Sequence, residues 1–147
     1  MAATIREQII ADIKTQMETL TSDGYGYAYR GRTWFAHSDL PAMALLPGIE
    51  TAERMYGEQR CTMPLTVHAI QVSGDNEPSV LAETILGDLI HCLIGGRDNI
   101  GNIDDIRYIG GGVEDWPAED EQALVVQVNL EVDYTTNLGD PYNQTEL

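Results

Sequence analysis

Positive charge is what this 147-residue chain has least of. A single lysine, Lys14, and seven arginines stand against 24 acidic residues, a net charge of −16. Proteins that grip nucleic acid neutralise its phosphates with lysine and arginine, so tight binding to DNA or to an anionic membrane is disfavoured. An acidic surface that repels a duplex and lets it slide past is left open. The plainer reading, that acidity keeps the protein soluble, is favoured on charge alone.

Cysteine is scarce as well. Cys61 and Cys92 lie far apart and form no CxxC pair. That argues against a disulfide framework and a structural zinc site, and for two buried free thiols. No apolar run approaches the ~18 residues that cross a bilayer. The opening residues, Met1 to Glu7, lack the charged-then-apolar order of a signal peptide, so synthesis in the cytoplasm is expected. Repeats and low-complexity linkers are missing too. One domain spanning residues 1–147 is expected, long enough to bury a sizeable core.

What the chain does have is periodicity. From Ala123 onward it reads ALVVQVNLEVDYTTN. Leu124, Val126, Val128, Leu130, Val132 and Tyr134 fall on one face, and Gln127, Asn129, Glu131, Asp133 and Thr135 on the other. A period of two predicts a strand with one dry and one wet face. It is about twice the usual strand length. Arg60 to Ser73 predicts a second long strand, with Leu65, Val67 and Ala69 on one face. Shorter strands are expected around Tyr25–Tyr29, Pro41–Leu46 and Ile103–Ile109. Ile49 to Gln59 is polar and shows no period. Gly110-Gly111-Gly112 reads as a hinge or bulge, and Glu114 to Glu121 as an acidic turn.

Two helices complete the pattern. Thr4 and Glu7 are spaced as a capping box, and Ile9, Ile10, Ile13, Met17 and Leu20 then form one apolar stripe. The second helix starts near Asn76 or Glu77 with Pro78 in its first turn, and Gly95-Gly96 ends it. Its apolar residues surround much of its circumference, so it is expected to be the more buried helix. Gly87 within it implies close packing, since glycine there costs about 1 kcal/mol relative to alanine. The order of elements predicts an α+β fold, a largely antiparallel sheet packed on two helices in a two-layer sandwich.

Groups able to do chemistry are scattered. His37 is near Asp39, and His91 adjoins Cys92, but neighbouring helical residues face different ways. Asp104-Asp105 or Glu119-Asp120-Glu121 have the makings of a magnesium site, yet such runs are usually solvated. Gly110-Gly111-Gly112 is followed by neither GK[ST] nor a helix, and no G-x-S-x-G occurs. No catalytic, cofactor or metal residues are assigned. Trp34 and Phe35 read as core. Trp116, in a hydrophilic loop, needs a surface to cover it, either its own subunit or a neighbour.

Three stretches carry a family likeness: IREQIIADIKTQMETL, AETILGDLIHCLIG, and VNLEVDYTTNLGDPY preceded by the GGG-x-x-x-W-P turn. Together they resemble the tail terminator proteins of long-tailed bacteriophages, loosely of the lambda minor-tail-protein-U type. The resemblance implies a non-enzymatic virion protein without cofactors. It implies a ring-forming α+β subunit and a homo-hexamer that caps the tail tube, stops tube polymerisation and meets the head or neck. Tail tube protein and a head–tail connector are the implied partners, with DNA passing through the lumen. Such a protein is assembled in the host cytoplasm and ends at the head-proximal end of the tail. Leu138, Asp140, Pro141 and Tyr142, with Trp116, are the expected subunit or neighbour contacts. Glu114, Asp115, Glu119, Asp120 and Glu121 are the expected acidic lumen. A head–tail joining protein is the alternative within phage biology. A metal-dependent hydrolase using His37, Asp104 and Asp105 is the alternative outside it.

Overall fold

A computed structural model describes residues 2–117 and 123–144. Its longest strands, β4 (Glu58–Val72) and β6 (Ala123–Asn137), pair antiparallel along their whole length, from Glu58 opposite Asn137 to Val72 opposite Ala123. Alternation fixes that register, because a slip of one residue would turn every buried side chain to water. Leu124, Val126, Val128, Leu130, Val132 and Tyr134 are all buried, facing the same side as Cys61, Met63, Leu65, Val67 and Ala69.

The other strands extend this ladder. β5 (Asp105–Asp115) pairs antiparallel with β6 and forms one edge. On the other side β4 pairs with β2 (Ala42–Pro47) and then, further along, with β3 (Thr51–Met55). β1 (Tyr27–Arg30) lies parallel to β2 at that edge. The sheet is therefore mixed but largely antiparallel, in the order β1-β2-β4-β6-β5 with β3 beside β4. Helices α1 (Ile5–Glu18) and α2 (Pro78–Ile90) cover one face, giving the expected two-layer α+β fold.

Helix α1 starts where Thr4 accepts the Glu7 amide at 3.0 Å. Its stripe of Ile9, Ile10, Ile13 and Met17 is buried, at about 1.5–3 kcal/mol per large side chain. α2 departs from expectation. Its core contribution is Ala82, Ile85 and Leu89, fewer than α1 supplies, so α1 is the more buried helix. Val80 is exposed, and Leu81, Leu86 and Ile90 are only half-buried. Apolarity around a circumference states composition; packing against a flat sheet uses one side. Gly87 is on the open side, and a Cβ there would meet nothing within 4 Å, so it marks no close approach. With the loose π turn His91–Gly95, the helix is long and apolar enough by length and composition to cross a membrane, contrary to the reading of the sequence. Here its inner side packs on β5 and β6. The π turn has a local cause: Gln16 reaches in to donate to the Cys92 carbonyl at 2.9 Å, beside Gly96, which has no Cβ to obstruct it.

Two further expectations are corrected. The aperiodic stretch after Ile49 contains β3 and the start of β4; every residue of β3 is exposed, so no apolar period could mark it. Gly110-Gly111-Gly112 lies inside β5 rather than at a hinge, with bulges on either side at Ile109 and Glu114. Gly111 is needed there, since a Cβ would come within 2.5 Å of the Gln127 carbonyl oxygen.

Candidate interaction surfaces

The histidines and acids singled out in the sequence and described by the structure remain apart in three dimensions. His37 lies in a short turn and lines a groove with Asp115 at one end of β5. Asp104 and Asp105 are at the other end of that strand, roughly 30 Å away at ~3.3 Å per residue. The hydrolase trio is thus not brought together. Asp39 is engaged by Arg32 at 2.7 Å and by the Ala36 amide at 3.1 Å, and His91 is exposed while Cys92 is buried. Among the described residues no group of three His, Cys, Asp or Glu side chains is placed to hold a metal ion.

Both cysteines are free and buried. Burial raises the pKa of each thiol, and for Cys61 the nearby Glu50 carboxylate adds to the effect. A thiol pushed upward stays protonated and is a poor nucleophile. Cys61 borders a small cavity of about 260 Å³ also lined by Arg6, Glu50 and Tyr134. Arg6 binds Glu50 at 3.1 Å and the Gly48 carbonyl at 2.7 Å, and the Tyr134 hydroxyl donates to Glu50. Burial and that carboxylate together push the phenol's pKa upward. The cluster ties the start of α1 to the β2–β3 connection and to β6.

The sheet face away from the helices is polar and laced across strands. Thr62 donates to Asp133 at 2.9 Å, and Thr66 to Asn129 at 3.2 Å. His68 Nε2 faces two acceptors, Gln127 Oε1 at 3.2 Å and Glu114 at 2.9 Å, so that nitrogen carries a proton. Arg107 is held by Asp133 and by Asp105 at 3.2 Å, with Glu131 at 3.7 Å. Its hydrogen bond lowers the pKa of Asp133 below the usual carboxylate value.

Apolar side chains gather at the two ends of the sheet. At one end the β3–β4 turn presents Arg54, Met55 and a fully exposed Tyr56. At the other, a groove of about 610 Å³ is lined by Trp34, Phe35, Leu40, Ile70 and Val125, with Asp115 among them. Trp34 is 72% exposed and Phe35 half-buried, so neither is the core anchor the sequence implied. Arg32 stacks at 4.7 Å on both Phe35 and Tyr29, holding this aromatic patch together. Trp116 directly follows Asp115 and is 55% exposed.

Of the remaining expected contacts, the segment after β6 folds back on its own subunit. The Ile5 amide donates to the Pro141 carbonyl and the Leu138 amide to that of Gly57, both at 2.9 Å. Asp140 accepts from the Tyr142 amide at 3.1 Å. The Leu138 and Tyr142 side chains are left partly exposed. Glu114 is paired with His68, whereas Asp115 has no ion pair among the described residues. Glu119, Asp120 and Glu121 lie outside the described residues. Sequence reading missed Arg54 and Tyr56, for which the only signal was a Tyr-Gly turn between polar runs. Compared with known proteins, the chain matches no protein-family model and no curated protein.

Proposed function

We propose that this chain is a structural subunit of a bacteriophage tail, a tail terminator. In this reading it assembles as a homo-hexameric ring on the head-proximal end of the tail tube, stops tube polymerisation and offers the head or neck its docking surface. DNA passes through the lumen without being gripped. The protein performs no catalysis and needs no cofactor. The observation that carries the reading is the placement of its aromatic side chains. Tyr56 stands unpartnered at one end of the sheet and Trp34 and Trp116 at the other, while among the described residues no three acids, histidines or thiols gather as a metal site would require. Exposed aromatics with arginine are the composition of interface hot spots. The strong negative charge suits a passage through which another polyanion must move.

The deciding experiment is electron microscopy of purified tail tubes incubated with the protein. A ring at one tube end, and tubes that no longer elongate, is the expected result. Bare tube ends that continue to grow would sink the proposal. A ring found on the head portal rather than the tube would assign the protein to the neck instead.

A further inference from the structure

Two unmatched surfaces face away from each other on this subunit. The first is the β3–β4 tip. Arg6, Lys14, Arg30, Arg32 and Arg107 all have carboxylate partners. Arg60 lies opposite Glu53 and near Asp104, and Arg97 donates to the Ile94 carbonyl. Arg54 alone of the guanidinium groups has no partner among the described residues. It is exposed beside Met55 and the fully exposed Tyr56. In a chain of net charge −16, an arginine without an ion pair among the described residues here stands next to a bare tyrosine and methionine, offering cation and apolar area together.

The second is the groove at the far end of the sheet, aromatic and aliphatic within, with Asp115, which has no ion pair among the described residues, in its lining. Tip and groove are separated by the run of β4 from Glu58 to Ile70, about 40 Å at ~3.3 Å per residue, so one cannot fold onto the other. The tip offers a cation in Arg54 and the groove a carboxylate in Asp115, each beside apolar side chains. We propose that the Arg54-Met55-Tyr56 tip of one copy docks in the groove of a second copy, with Arg54 pairing to Asp115 and Met55 and Tyr56 packing against Trp34 and Phe35. The contact rests on the ring-forming reading above and specifies how neighbours join. Because the two surfaces do not overlap, it is heterologous: every subunit gives a tip and receives one, and the chain of contacts closes when the rotation permits. Asp115 then faces a neighbour rather than the lumen.

Charge exchange tests this directly, by sedimentation or light scattering of the full chain. Arg54→Glu sets an acid against Asp115, and Asp115→Arg sets two cations together. Each variant alone should lose association by about tenfold or more, since like charges across a contact are strongly disfavoured. Mixed in equal amounts, or combined in one chain, the two should associate again. Thermal melts of the separate variants should match the parent, since both side chains are exposed. Association unaffected by either substitution would overturn the contact and leave the ring reading standing. So would loss without rescue in the mixture and in the double variant. A parent chain that stays monomeric at millimolar concentration also overturns the contact; whether the ring reading falls with it is decided separately at the tube end.

Discussion

Glu7 serves two partners at once: its amide goes to the Thr4 hydroxyl, and its carboxylate takes both terminal nitrogens of Arg30, at 2.5 and 2.7 Å. The spacing reads as a capping box in the sequence. In the fold the side chain goes to the neighbouring strand, so one residue starts α1 and pins it to β1.

The Arg30 hydrogen bond lowers the Glu7 pKa, which gives this pair a pH signature. A carboxylate depressed in the folded state stabilises above its unfolded pKa, and the gain is lost as pH falls through the folded value. The Glu7→Gln variant should therefore melt lower than the parent at pH 7. The gap should close below about pH 4.5. Both groups are well exposed, so a difference of only about 0.5–1 kcal/mol is expected. A gap that widens in acid would contradict the pairing.

Glycine substitutions separate crowded from open backbone. Gly111→Ala forces a methyl group against the Gln127 carbonyl and should cost about 1–3 kcal/mol. Gly87→Ala meets open space in a helix and should add about 0.5–1 kcal/mol. Urea midpoints read both, and equal shifts of the same sign would count against the geometry.

Adjacent residues of β6 should respond in opposite ways. Leu130 is buried at the centre of the core, and Leu130→Ala should cost about 2–5 kcal/mol. Glu131 is on the wet face, where Glu131→Ala should change stability by about 0.5 kcal/mol or less.

Thiol labelling reports on both cysteines. Neither should react with a disulfide reagent in the native protein at pH 8, because burial keeps them protonated and covered. Both should react once denaturant unfolds the chain. Rapid native labelling of one thiol would show that its shell opens.

Much of the framework is legible in the sequence because burial there is one-sided. The β6 alternation, the β4 alternation and the α1 stripe each report a single dry face. β3 was invisible for the converse reason, having no dry face at all. Tyr25, Tyr27 and Tyr29 alternate, yet the residue β1 turns inward is Ala28, because strand period identifies faces without saying which one is inside. The burial of α2 was overstated since composition cannot say how much of a helix a sheet will cover. Trp34 and Tyr56 were misread or passed over because an exposed aromatic side chain leaves no period in the sequence.

The long β4–β6 ladder also has a meaning in time. Its paired residues are 51 to 79 positions apart, from Val72 with Ala123 to Glu58 with Asn137. At ~5–20 residues per second, β4 waits roughly 3–15 s on the ribosome for its partner to be made. Throughout that interval the backbone edge of β4 that pairs with β6 has no strand beside it. The central ladder that holds the finished subunit together is therefore the last large piece of the sheet to close, and the newborn chain is most exposed to wrong partners just before it does.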